Sequence, residues 1–579
     1  RRHTRSSVES RGLGDVYKRQ LLMSSLADAK ARKPKEILQY IPADTPYVMA
    51  FTKPFPDELM DKFEPSMDKM LSAYQRMIRY RLSEHLIELS AQEDGAEKAE
   101  QLQRFMDEML SLLSINGLRD AGIGRDSLFA IYGDGILPVL RIGISDIDKF
   151  EATIVRLESE AGEKFLDGEL AGKSYRFRDL DKLTLVISTF DKDAVIAVVP
   201  AGISDKRLAQ TLGIKKPRKN LARSKDLERI SEEYGFTDHF VSFVDVERVA
   251  ATFTGDPSGR NTDFLRVLGM NADDTSPVCR SEISDLASVA PRIVVGYTKV
   301  DADVLETGMI VELREDIAGG MASLPSVVPG LGADLGGWFS FGFSIDMMAA
   351  RSFYESRLDA LEADPFECEH FADVNASTVK GREALAKPLP PVVYSFRGML
   401  ANVINIEGLD VATDKPPESI DASILVAIEN AQDLVMMAAM MSPEVAALNL
   451  VPDGKARALD LPQLAAIAEQ AFVALSESGL SLALGDSAAS EAEAMLTADT
   501  LSSGPFASFS MDAKKYYEFV GEAVMTEDDD EEGEPMPLAM RTAVRDVMIS
   551  SGELYDRMAV NVYLTERGVE VNILLTLSD

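Results

Sequence analysis

A short strand pattern that runs into a helix recurs along the later two-thirds of the chain. Its four occurrences read Phe240-Val241-Ser242-Phe243, Trp338-Phe339-Ser340-Phe341, Val393-Tyr394-Ser395-Phe396 and Phe506-Ala507-Ser508-Phe509. Three are followed by an aspartate placed to cap a helix: Asp245, Asp346 and Asp512. A short carboxylate there accepts the orphan N–H groups of a first helical turn. Apolar helical patterns then begin, as in 347–361 and 516–524. Strands and helices that alternate in this way must bury their apolar faces against one another, which predicts layers of sheet and helix. The spacing is irregular, so a solenoid is excluded and diverged copies of one α+β module are expected.

Hairpin patterns lie between these units. The predicted pairs are 183–190 with 194–199, 292–297 with 309–313, and 558–564 with 569–575. Helices are predicted over 56–89, 97–113 and 146–161. In the first of these, Met60, Phe63, Met67, Met70, Leu71, Tyr74, Met77 and Ile78 recur at spacings of three and four. Short turns favour antiparallel pairing, because a parallel pair needs a long crossover. The expected fold is therefore α+β, with repeated antiparallel sheets, helices packed on one face, and several domains. Lys215-Lys216-Pro217-Arg218-Lys219-Asn220 and Lys387-Pro388-Leu389-Pro390-Pro391 read as junctions. They divide the chain into an N-terminal α+β domain (30–214), a middle one (226–386) and a C-terminal one (391–579).

A chain of 579 residues exceeds a single core, and 46% hydrophobic residues exclude wholesale disorder. The formal net charge of −35 argues against nucleic acid or an anionic membrane as partner. No apolar run is long enough for a transmembrane segment. Residues 1–20, closing in Asp15-Val16-Tyr17-Lys18-Arg19-Gln20, read as an adapter-derived artefact. Without their six Lys/Arg and two Asp/Glu the charge is nearer −39, and three histidines remain. Residues 21–29 form an apolar stub ending Ala27-Asp28-Ala29, which reads as a truncated signal-peptide remnant with its cleavage site. Cys279 and Cys368, 89 positions apart and without C-x-x-C spacing, suit one disulfide in an oxidising compartment. Two separate buried thiols are the alternative. Both signals point to export, with a periplasmic location.

The run Ile41-Pro42-Ala43-Asp44-Thr45 feeds an apolar strand pattern, Tyr47-Val48-Met49-Ala50-Phe51. It resembles the mature N terminus of uncharacterised exported proteins of Gram-negative bacteria, which open on an I/L-P-A-D-T run. Such families are domains of unknown function. The resemblance implies export and an α+β fold, and it implies no mechanism.

Several clusters carry side chains suited to chemistry. Met436, Met437, Met440 and Met441 share one side of a helix; thioethers suit Cu(I) or a yielding partner groove, and a core face is the expectation. Glu527 to Glu534 imitates the start of a calcium loop, but its twelfth position is Ala539, so a solvated acidic loop is expected. Lys215, Lys216, Arg218, Lys219, Arg223 and Lys225 suit phosphate groups, or else a solvated linker, which is the expectation. Ser377-Thr378-Val379-Lys380 and Ser66-Met67-Asp68-Lys69 match the Ser-x-x-Lys pattern of serine enzymes without its companion motifs. Gly330 to Gly337 nearly matches a dinucleotide fingerprint but leads into a strand, so it reads as a connector. His85, His239 and His370 lie far apart, and Cys368-Glu369-His370 cannot turn three consecutive side chains onto one metal. No catalytic, cofactor or metal residue is assigned. The expected function is that of an exported, non-catalytic binding or interaction protein of the envelope, acting on an unknown envelope protein or a small ligand. The alternatives are a periplasmic hydrolase, and a small-molecule or lipid binder that uses an inter-domain cleft.

Overall fold

The computed structural model describes residues 36–578, except 92–94, 191, 255–259, 271–274, 410–416, 461–467, 501–503 and 527–535. The adapter-like and signal-like segments and the acidic run therefore lie outside the described residues. The first ten strands are β1 (Tyr47–Phe51), β2 (Phe129–Asp134), β3 (Leu137–Gly143), β4 (Leu166–Leu170), β5 (Lys173–Leu180), β6 (Leu183–Phe190), β7 (Asp193–Pro200), β8 (Phe240–Asp245), β9 (Arg292–Val300) and β10 (Val304–Glu312). Nine more follow: β11 (Phe339–Ser344), β12 (Phe396–Glu407), β13 (Ser419–Ile428), β14 (Arg457–Ala458), β15 (Ala471–Leu475), β16 (Gly479–Leu484), β17 (Ala507–Asp512), β18 (Tyr555–Thr565) and β19 (Gly568–Leu577). The fold is α+β, and all 19 described strands join one sheet whose pairings are antiparallel. Neither expected junction separates two sheets. β8, which follows residues 215–225, pairs with β1, and β12, which follows residues 387–391, pairs with β11.

The sheet has two halves of identical connectivity. The first reads β6-β7-β3-β2-β1-β8-β9-β10 across the sheet, and the second reads β15-β16-β13-β12-β11-β17-β18-β19. Registers match as well. Val48 sits between Tyr132 and Phe243, as Ser340 sits between Asn402 and Ser510. The halves meet through their last strands: Val304 pairs with Thr576, Gly308 with Asn572 and Glu312 with Gly568. That pairing of equivalent strands creates a local two-fold axis through the sheet near Gly308.

The aspartate caps form as the sequence predicts. Asp245 Oδ1 accepts the N–H of Arg248 at 2.8 Å, Asp346 Oδ1 those of Met348 and Ala349 at 2.9 Å, and Asp512 Oδ1 that of Lys515 at 3.0 Å. The third Ser-Phe occurrence differs, because Val393 to Ser395 lie in the short helix Pro391–Ser395. Pro391, the first residue of that helix, presets the φ of its first turn.

Helices cover both faces of the sheet, where one covered face was expected. On the first face, Ile37, Leu38, Leu221 and Ile230 pack over Val48, Val139 and Val294. In the second half, helix Ala488–Thr497 lays Ala488, Ala492 and Met495 on Leu400, Leu425 and Ala483 of that face. On the second face, Phe150 and Ile154 of helix Ile147–Ala161 pack on Ile142, Ala194 and Ile187. Leu59 and Leu554 cover Leu305, Tyr297 and Leu575 there. The reason lies in the strands: in β7, Val195 and Ala197 face one way while Ala194 and Ile196 face the other, so both sides are apolar.

Candidate functional site

The run Ile41 to Thr45 is a structural tie. Thr45 Oγ1 donates to a backbone carbonyl of β1 or β2, Tyr47 O at 2.7 Å or Gly133 O at 2.9 Å, and accepts the Gly133 N–H at 3.1 Å. Arg248 donates to the carbonyls of Ala43 and Thr45. The basic segment packs against the same run, with Ala43 N–H on Lys219 O at 3.3 Å and Leu221 N–H on Ile41 O at 3.0 Å. It is a docked loop inside the first half, where a linker was expected, because the buried Asn220 accepts the Arg223 N–H and donates to Pro217 O.

The halves are also tied outside the sheet. Helix Asp57–Ser90 of the first half packs along helix Leu538–Leu554 of the second, with Lys69–Glu553 and Arg76–Asp546 ion pairs at 2.5 Å. Cys279, in helix Pro277–Val289, is joined by a disulfide to Cys368 of the second half. Glu282, one turn along that helix, accepts the N–H groups of Glu367 and Cys368 at 2.6 and 3.0 Å.

Between these covered regions the second face stays open. Met49, in the middle of β1, is 41% exposed, and Phe341, at the equivalent place in β11, is 46% exposed. Ile424 on β13 is 39% exposed. Met49 is flanked by Ile131 and Ser242, and Phe341 by Ala401 and Phe509. The row through Met49 crosses the junction by Ser242, Val295, Met309, Val571, Val562 and Ala507 to Phe343, without one charged side chain. At about 4.8 Å per strand, Met49 and Phe341 stand on the order of 34 Å apart. An uncharged, partly exposed band of that length is suited to apolar contact.

Comparison with protein-family models, with curated proteins and with solved structures gave no match.

The other sequence clusters do not converge on this band. Ser377 lies on an exposed helix surface and its hydroxyl donates back into its own helix, to Val374 O at 2.6 Å. Lys69 is committed to Glu553. The Gly330 to Gly337 stretch straps the first face of the second half: Arg557 pairs with Asp334 at 2.7 Å and donates to the Gly336 and Gly337 carbonyls. Gly337 has φ +80°, and a Cβ there would lie 2.8 Å from Val403 O. His85 and His370 are exposed; His239 is buried, and that burial, with Lys53 nearby, lowers its pKa. Among the described residues no group of three His, Cys, Asp or Glu could hold a metal ion, and no helix is long and apolar enough to cross a membrane.

A narrow hollow with a volume of about 60 Å³ lies between Leu38, Thr52, Leu221 and Ala222. That is room for about two waters. A wider, open hollow lies beside Arg314, Asp316 and Gly320. There the Arg314 guanidinium, with Arg357 beside it, holds the Asp316 carboxyl well below the usual carboxylate range.

The methionines are a correction. Met436, Met437, Met440 and Met441 are 51%, 49%, 89% and 83% exposed, while Ala431 and Val435 of the same helix are buried. The helix turns its small and branched residues to Ile428 and Leu475 and its thioethers to solvent, so the buried face lies on the far side of the helix from the methionines. Sequence reasoning also passed over Met49, Phe341 and Ile424. In β1 and β13 their signal was apolar residues at both parities of a mid-sheet strand, and in β11 it was a phenylalanine at every second position, Phe339, Phe341 and Phe343.

Proposed function

We propose that this chain is an exported, periplasmic envelope protein that acts without catalysis, by binding an apolar ligand or an apolar segment of an envelope partner on the open second face. One observation carries the reading: Met49 and Phe341 occupy equivalent mid-sheet positions and are both open to solvent. Leaving two large apolar groups partly exposed there forgoes somewhat under half of the about 1.5–3 kcal/mol that full burial of each would contribute. A surface used for contact recovers that on binding.

A fluorescent acyl chain of about sixteen carbons is the direct probe. Titrated into the purified protein, it gains intensity on moving from water to the band. The double variant Met49→Lys/Phe341→Lys places two charges on the floor at sites already exposed, so it melts like the parent and binds the probe at least tenfold more weakly. Equal affinity in the two proteins, or no binding by the parent, overturns the reading.

A further inference from the structure

The helix Ala431–Met441 separates its apolar residues by element rather than by size. After Asp433, every position it exposes is a methionine: Met436, Met437, Met440 and Met441. Every residue it turns inward over the same stretch is leucine, valine or alanine. Methionine makes up 25 of the 579 residues, so four of four is not background usage. A solvated helix face uses Lys, Glu or Gln, whereas a run of exposed methionines suits a soft-metal site or a yielding apolar groove, and the leucine variant below separates these two. The shared property of these four side chains is a thioether sulfur.

We propose that this face binds a soft monovalent metal ion, Cu(I), with Ag(I) as its redox-inert analogue. Thioethers are soft donors that select Cu(I) over hard and borderline cations. At 100° per residue the four positions fall within an arc of about 140°, in the angular order Met436, Met440, Met437, Met441. Residues three and four apart have Cβ atoms about 5–6 Å from each other, and three rotatable bonds let each sulfur swing toward a common point. Three sulfurs, from Met436, Met437 and Met440 or from Met437, Met440 and Met441, can thus meet one ion. No competing thiol is present among the described residues, because both cysteines are in the disulfide. The site is separate from the apolar band, so either assignment can fail alone.

The test uses the whole chain with methyl-labelled methionine, titrated with Ag(I) and then with Cu(I) under anaerobic, reducing conditions. The expected result is one tightly held ion by native mass spectrometry, with methyl shifts confined to Met436, Met437, Met440 and Met441. The variant with all four changed to Leu keeps apolar area and helix propensity and loses the sulfur. It is expected to bind Ag(I) at least tenfold more weakly, at an unchanged melting temperature. If that variant does not fold, Met440→Leu, at the most exposed position, carries the comparison, with the same direction expected. Undiminished affinity in the leucine variant, or methyl shifts elsewhere in the chain, overturns the proposal.

Discussion

Arg141 is 2% exposed, with its guanidinium 4.1 Å over the Tyr40 ring and 3.4 Å from Asp193 Oδ2. The matching registers of the two halves place Leu425 and Gly479 at the equivalent positions. One half thus keeps a buried ion pair where the other keeps a leucine against a glycine. Desolvating two charges costs several kcal/mol per ion, and their attraction returns it only while both partners remain. Arg141→Leu alone leaves the Asp193 carboxylate buried beside an alkyl chain, and chemical denaturation should show a loss of about 3–5 kcal/mol. Adding Asp193→Gly copies the pair found in the second half and should recover most of that loss. A double variant as unstable as the single one would mean that the pair does more than satisfy itself. The same positional comparison runs the other way on the first face, where Val48, Tyr132 and Val139 face Ser340, Asn402 and Ser423 as equivalents. Asn402 Oδ1 and Ser423 Oγ are buried without a hydrogen-bond partner among the described residues.

The elements that were legible in the sequence are those closed by local interactions. The three aspartate caps and the hairpins β6–β7, β9–β10 and β18–β19 all form, because a cap or a turn is decided within a few residues. The Ser-Phe recurrence pointed to related strands but in the wrong alignment. Ser242 corresponds in register to Phe509, one place beyond Ser508, since equivalence follows the pairing partners and not the local spelling. Helix-to-helix ties were illegible for the same reason, with the Cys279–Cys368 bridge as the exception that spacing allowed. That bridge links elements of different halves across 89 residues. In the chain-entropy model a loop of that size contributes about 4–5 kcal/mol. Non-reducing mass mapping should recover the linked Cys279 and Cys368 peptides. Cys279→Ala/Cys368→Ala should lose about that much unfolding free energy in chemical denaturation, and a loss under about 1 kcal/mol would show that the helix contacts alone hold the halves there.

At the scale of the whole molecule, 95 acidic residues face 60 basic ones. Many ion pairs have at least one exposed partner, as in Lys69–Glu553 and Arg382–Asp359, and such pairs contribute little singly. Net self-repulsion therefore outweighs them at low salt. Raising ionic strength from about 10 mM to about 150 mM shortens the Debye length from about 30 to about 8 Å, and the melting temperature should rise. A fall would place the balance with the ion pairs instead. Composition and periodicity by themselves determined the α+β class, the caps, the hairpins, a charge hostile to nucleic acid, and a cysteine pair able to bridge. Only the folded chain decided that β10 and β19 meet, 264 residues apart at their equivalent positions, that one sheet replaces several, and that Met49 and Phe341 stay open. A strand's two faces are written in its own residues, but its neighbour is chosen by the closing of loops hundreds of residues long. That choice depends on the whole set of mutually compatible pairings.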